Sequence, residues 1–337
     1  MTHPPLAIDA LDRCGEHRGD DEWLAAAWEQ DPENERIAAD EGGLHYFDAD
    51  TAPEGERVYL GGDRPPVFAV LADLPDGLPG RWIRPDWDRR DLAIAVQAIA
   101  IAHWHATYRF HPTTGEPLRS RLAGWELAAD TGRPVFPRTD PAVIVLIDDG
   151  ADKVLLAQHR RYGGPPKGSP PDTPQQASTR KGRYACIAGF VEPGESAEAA
   201  VHREVGEEIG IKLDRLEYVS SQPWPYPRSL MLAYRATADP DQVLVLQDDE
   251  IADARWFTRE EVRRMWVATD DATPSAVRIS IARFLIDGWL AEASLDFRDG
   301  GRFDLVRGLD RDRALRGEHA GDDDEPADDL RHRQRLP

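Results

Sequence analysis

Cysteine is nearly missing from this chain, with two in 337 residues, Cys14 and Cys186. Two thiols cannot build a disulfide framework or fill a four-thiolate zinc site. Cys186 stands in an apolar approach to a glycine loop and is expected to pack as a small hydrophobe. Basic charge is scarce as well: 41 Lys and Arg face 62 Asp and Glu, a net charge of −21. That balance opposes general, salt-driven binding to nucleic acid or to an anionic membrane, although a local basic groove is compatible with it. Long apolar runs are absent. The most apolar stretch, 92–102, is far too short to span a bilayer, and the first residues carry neither a basic nor an apolar targeting region. No membrane association is expected, and the cytoplasm is the expected location. What remains is an ordinary globular composition, long enough for two domains.

The most informative stretch is 189–211, GFVEPGESAEAAVHREVGEEIGI. Ser196 is suited to cap a helix, and Ala197, Val201, Val205 and Ile209 recur every fourth residue as one apolar face. Glu204, Glu207 and Glu208 then stand at i, i+3 and i+4, with their carboxylates together on the opposite face. Each like-charged pair costs roughly 0.2–0.5 kcal/mol, and Gly206 weakens the helix by about 1 kcal/mol relative to Ala. A hard divalent cation, Mg²⁺ or Mn²⁺, offsets that cost and keeps positions open for a substrate's phosphates. For three glutamates alone, a solvated acidic face is the better reading. The frame around them reverses that preference: Gly189, Glu195, Arg203-Glu204, Glu207-Glu208 and Gly210 occupy the fixed positions of the Nudix box, so the chain resembles a Nudix hydrolase. Gly189, Pro193 and Gly194 suit a tight loop leading into the helix, and Arg203 can pair with Glu195 to fix that loop.

A second stretch, Ser221-Gln222-Pro223-Trp224-Pro225-Tyr226-Pro227-Arg228-Ser229, is similar to the signature that follows the box in NADH pyrophosphatases, with Tyr226 where that family has Phe. Its prolines hold the backbone extended, Trp224 offers a flat apolar face to an adenine ring, and Gln222 and Ser229 offer hydrogen-bond partners. A proline-stiffened loop packing its aromatics into the core would also explain Trp224. The hydroxyl that Tyr226 adds needs a partner if buried, and it bears on nicotinamide recognition. Ahead of the box, 110–137 resembles the zinc ribbon of the same family. The matching slots are His111 and Thr114, then approximately Ala128 and Thr131, which predicts a ribbon-shaped segment without zinc.

The resemblance implies metal ligands at Glu204, Glu207, Glu208, Glu250 and the Ala188 carbonyl; Glu250 also reads as a loop charge beside Asp248 and Asp249. It implies that Phe190 and Trp224 sandwich the adenine, with Phe190 reaching across a homodimer interface. Phe136, Tyr226 and the backbone near Ala282 would complete the pocket, and Arg84 would contact phosphate. Glu207, central in the cluster, is the first choice for the base, although sequence does not separate it from Glu204 or Glu208.

The expected fold is α/β (α+β), a Nudix α/β/α sandwich with a mixed sheet over 138–295, preceded by a small α+β domain over 1–109 and the degenerate ribbon over 110–137. Asp91 is expected to cap a buried helix over 92–108, and 142–147 with 153–158 to form a hairpin through Asp148-Asp149-Gly150. Strands are expected near 216–221, 230–236, 243–246 and 254–257, and helices near 259–266 and 274–293. Disorder is expected for the Pro- and Gly-rich 163–180 insertion, and a charged, solvated tail over 296–337. The implied activity is hydrolysis of NAD(H) to NMN(H) and AMP. ADP-ribose, the NAD cap of an RNA 5′ end and a lapsed NAD-binding regulatory module stand as the alternatives.

Overall fold

The computed structural model describes residues 3–8, 10–29, 35–40, 43–47, 53–62, 65–73, 83, 87–160, 184–247, 249–269 and 279–292. The expectations for Arg84, the 163–180 insertion and the 296–337 tail lie outside the described residues. So does the start of the helix expected over 274–293.

The first layer follows from short β-branched and aromatic runs. Strands β1 (Glu35–Asp40), β2 (Gly43–Phe47), β3 (Glu56–Gly61) and β4 (Val67–Leu71) form a sheet in the order β2-β1-β4-β3, parallel only between β1 and β4. Helix α1 (Asp21–Glu29) precedes the sheet, and α2 (Arg89–Thr107) packs Ile94, Ala98 and Ile99 against Ile37, Val58, Leu60 and Val67. The cap of α2 is Asp88, whose side chain accepts from the Asp91 N–H at 2.8 Å. The sequence pointed to Asp91. That residue sits inside the first turn as the acceptor's donor, because Arg89 and Arg90 extend the helix by a turn that carries no apolar signal.

In the ribbon, β5 (Arg119–Arg121) and β6 (Glu126–Ala128) form a short hairpin. Its cysteine-free slots are joined by hydrogen bonds. The Glu116 carboxylate accepts from the hydroxyls of Thr114 at 2.8 Å and Thr131 at 2.5 Å. The ring of His111 accepts from the N–H of Thr114 at 3.1 Å and meets the Arg133 carbonyl at 3.0 Å. A carboxylate clasp thus links two of the slots that hold metal in the resembling family. Glu116→Ala is expected to speed amide exchange across 111–135 selectively, as read by hydrogen-exchange mass spectrometry, with no zinc in either protein by elemental analysis.

The larger sheet contains β7 (Asp140–Asp148), β8 (Lys153–His159), β9 (Tyr184–Ala185), β10 (Ile187–Phe190), β11 (Arg215–Trp224), β12 (Ser229–Thr237) and β13 (Ile251–Thr258). Its order is β11-β12-β7-β8-β13, with β10 on β7 and β9 on β8, and the β12–β7 pair is parallel, which makes the sheet mixed. Side-chain alternation gives it two apolar faces. Helix α3 (Ala197–Ile209) covers Val143, Val145 and Leu155 with Val201, Val205 and Ile209. On the other face α4 (Arg259–Thr269) and α5 (Ile281–Glu292) bury Ile144, Leu146 and Leu156 with Val262, Leu285 and Trp289. Cys186 is buried in this second core, and burial pushes its thiol up to about 12, as suits an inert packing residue. Both sheets belong to one compact unit, His3–Leu295.

The strand expected at 243–246 does not form. Leu244 and Leu246 do pack inward, but the N–H groups of Val245 and Gln247 donate to the carbonyls of Ile209 and Glu208 at 3.0 Å each. The stretch therefore satisfies the end of α3, where carbonyls lack helical partners, and its alternating pattern finds no neighbouring strand.

Candidate active site

The site is organised around α3. Ser196 caps it by accepting from the Ala199 N–H at 3.1 Å, and Gly210 ends it at φ 73°, a left-handed conformation that glycine adopts without penalty. The register of β10 on β7 sets Ala188 opposite Ile144 and Phe190 opposite Ala142, so the loop that enters α3 leaves from the centre of the sheet. A Cβ on Gly189 would fall inside the Glu204 carboxylate. Only glycine lets that carboxylate lie against the strand. Gly189→Ala is expected to displace Glu204 and weaken divalent-cation binding by about ten-fold or more by calorimetry, the order seen when groups supporting a metal site are lost.

Arg203 fixes the loop on the helix. Its guanidinium donates to Glu195 at 2.6 Å and to the Phe190 carbonyl at 2.8 Å, and it reaches Glu204 at 2.9 Å and Glu207 at 3.1 Å. The pairing with Glu195 is the expected one. The contacts to Glu204 and Glu207 are additional, and they supply the positive charge that these neighbouring carboxylates require.

The three helix glutamates are not equivalent. Glu207 is 56 % exposed in its side chain, whereas Glu208 is only 2 % exposed. Placing all three opposite the apolar face is therefore corrected: Glu208, three residues after Val205 and seven after Val201, lies at the edge of the covered stripe. Burial, then the charges of Glu204, Glu250 and Glu207, push its carboxyl up to about 8. Burial likewise raises Glu204, with Arg203 opposing it. Glu250 lies just before β13, close enough for its charge to act on Glu204, Glu208 and His159.

His159 was not foreseen. Nothing in its local sequence marks it; the pairing of His159 with Ile251 brings it beside Glu250, and its Nε2 lies 3.9 Å from Glu208 Oε2. Burial holds its imidazole below the usual range, so it is neutral at neutral pH.

Among the described residues, no three His, Cys, Asp or Glu side chains converge as a finished metal cage. The donor set nonetheless fits a hard divalent cation. It is all oxygen, the buried Glu208 Oε2 has no hydrogen-bond partner, and Gly189 cradles Glu204.

The expected substrate residues fall into two groups. Phe190 and Phe136 are 59 % and 58 % exposed, with Phe190 at the mouth of the glycine loop. Ser229 opens β12 opposite Trp224 and Asp140, and Ala282 and Ala188 each pack against the second core. Trp224 and Tyr226 are half-buried, meet edge to face at 5.3 Å, and lean on the core of the first layer. Gln222 does not fit the role suggested for it. It is 0 % exposed, and its amide accepts from the Leu6 N–H at 3.3 Å and donates to the Ile279 carbonyl at 3.1 Å, so neither end is available to a ligand. The Tyr226 hydroxyl is likewise hydrogen-bonded, to the Ile83 main chain, and burial raises it to about 12.

Residues 138–276 match the NUDIX domain, the class of hydrolase to which this arrangement of loop, helix and sheet belongs. The chain is 36 % identical over 315 residues to the NAD-capped RNA hydrolase NudC of Mycobacterium tuberculosis (strain H37Rv), covering 86 % of this chain and 95 % of that one. It is 37 % identical over 183 residues to the NAD-capped RNA hydrolase NUDT12 of Homo sapiens, covering 51 % of this chain and 36 % of that one. Among solved structures, a NUDIX hydrolase from Nitrosomonas europaea is 24 % identical, covers 49 % of this chain and 100 % of its own, and has a TM-score of 0.31. The chain belongs to the NADH pyrophosphatase family of Nudix hydrolases.

Proposed function

We propose that this hydrolase cleaves the diphosphate bond of NAD(H), releasing NMN(H) and AMP, with Mg²⁺ or Mn²⁺ held by Glu204, Glu207, Glu208, Glu250 and the Ala188 carbonyl. The observation that carries the reading is one row across the sheet. Phe190, Ala142, Met231 and Gln222 stand in register on β10, β7, β12 and β11, which puts the loop leading into the glutamate helix on a neighbour of β7 and the Trp224 stretch on the other side of β7, one strand further out beyond β12. A dinucleotide has a diphosphate for the first and a base for the second.

A divalent cation at the glutamates would neutralise the diphosphate and lower the pKa of an attacking water. The chain's own residues do the rest. Arg203 holds the glycine loop, and with it the Ala188–Phe190 edge, against α3. Glu207, the exposed carboxylate of the cluster, takes the proton of the water as its oxygen attacks one phosphorus and the bridging P–O bond breaks. Trp224 offers its face to the adenine. The exposed Phe190 supports a homodimer in which each subunit lends that ring to its partner's base.

The names of the full-length relatives favour a second reading, the NAD cap of an RNA 5′ end, which presents the same diphosphate. The test is hydrolysis of NADH, NAD⁺, ADP-ribose and NAD-capped RNA with Mg²⁺ or Mn²⁺, following AMP or NMN release. Faster turnover of NAD(H) than of ADP-ribose is expected. A higher kcat/KM on capped RNA would favour the second reading. Metal binding without turnover of any substrate would leave a dinucleotide-binding regulatory module.

A further inference from the structure

The side chains on either side of Trp224 are both engaged elsewhere. Gln222, on β11, is fully buried, and its amide spans from Leu6, 216 residues away, to Ile279, 57 residues away. Tyr226 holds the Ile83 main chain with its hydroxyl and meets the edge of Trp224 with its ring. Leu6, Ile83 and Ile279 are members of a single apolar core, the core of the first layer, and Trp224 and Tyr226 pack against it. Pro225, between the two rings, is buried as well. The indole is thus fixed by residues drawn from the beginning of the chain, from the segment before α2 and from the residues leading into α5.

We infer that Gln222 and Tyr226 are positioning residues through which the N-terminal layer sets the base-binding face of Trp224, so that this layer is part of the substrate site without touching the reacting atoms. The inference rests on the NAD(H) reading, in which Trp224 faces the adenine. Its basis is the destination of each polar group. A side chain kept for ligand contact would direct its polar group to the ligand, whereas the Gln222 amide has both ends engaged within the protein and the Tyr226 hydroxyl accepts from the Ile83 main chain. The hydroxyl also accounts for tyrosine at this position: it gives the loop a polar anchor on the first layer that phenylalanine would lack.

The test compares the full-length parent with Tyr226→Phe and Gln222→Met, measuring KM and kcat for NADH, AMP affinity by calorimetry and Mn²⁺ affinity. Tyr226→Phe is expected to raise KM and weaken AMP binding about five-fold, the order of one lost hydrogen bond, with kcat within about two-fold. Gln222→Met, which removes two bonds, is expected to exceed that. Mn²⁺ affinity is expected to stay at the parental value in both, because the hydrogen bonds removed run to Leu6, Ile83 and Ile279 and not to the glutamates. A purely structural strut would instead lower the active fraction, so that kcat falls while KM and AMP affinity stay unchanged; that result overturns the inference. If the parent turns over no NADH, the proposed function has failed and AMP binding alone decides the clamp. A parent that does not bind AMP would overturn both.

Discussion

Glu208→Gln is expected to stabilise the metal-free protein at about pH 8 while abolishing most of its Mn²⁺ affinity and turnover. The Glu208 carboxyl is 2 % exposed and raised to about 8, with burial as the leading cause and three neighbouring carboxylates adding to it. A carboxyl whose folded pKa lies above its unfolded value binds its proton more tightly in the folded state. Its contribution is complete below the unfolded value, about 4.5, and is lost as pH rises through about 8. Across that window the metal-free parent therefore loses up to about 1.4 kcal/mol per pH unit from this group. Glutamine resembles the protonated form and has no such slope. Parent and variant should unfold alike below about pH 5, and the variant should be the more stable by a few kcal/mol near pH 8. Adding Mn²⁺ should reverse the order, since only the parent gains RT ln(1 + [L]/Kd) from tight binding. Thermal unfolding of chelated and Mn²⁺-loaded samples from about pH 5 to 8 reads both effects. A variant no more stable than the parent at the alkaline end would mean that the buried carboxylate costs the fold nothing.

That asymmetry among the glutamates marks where the sequence stops being informative. The helix itself was legible: the Ser196 cap, the recurrence of Val201, Val205 and Ile209, and Gly210 at the end are local signals, and α3 runs between them. The β7–β8 hairpin was legible for the same reason, since Asp148 and Asp149 turn the chain through their own side chains, onto Gly150 at 2.8 Å and Ala151 at 2.9 Å. Which glutamate the sheet would cover depends on the angle at which α3 lies on β7 and β10, a tertiary quantity with no local code. His159 comes beside Glu250 through the pairing of β8 with β13, and it lies 3.9 Å from Glu208 only because α3 crosses that sheet. Gln222 reads in sequence as a member of a substrate signature, and only the fold reveals Leu6 and Ile279 at its two ends. The apolar alternation of 243–246 was real, but the sequence does not say whether the backbone groups between those side chains find a strand or the end of a helix; here they find α3.

Glu207→Gln is expected to lower kcat by about 10²–10⁴-fold, the range for removal of a general base, with KM and thermal midpoint close to the parent. The reasons for small collateral damage are structural. The Glu207 side chain is 56 % exposed, and its bond to Arg203, at 3.1 Å, is one of several that Arg203 makes. Exposed substitutions of this kind usually change stability by no more than about 0.5 kcal/mol. Arg203 keeps its bonds to Glu195, Glu204 and the Phe190 carbonyl, so the loop stays docked. The glutamine retains an oxygen for a cation but cannot accept a proton from water. The two variants should therefore separate by observable: Glu208→Gln in metal affinity, Glu207→Gln in kcat at saturating metal. Measuring kcat against Mn²⁺ concentration for each makes that comparison directly. If Glu207→Gln recovers parental kcat at high Mn²⁺, its carboxylate serves only as a ligand, and proton acceptance passes to Glu204 or Glu250, whose charges bear on the same buried carboxyl.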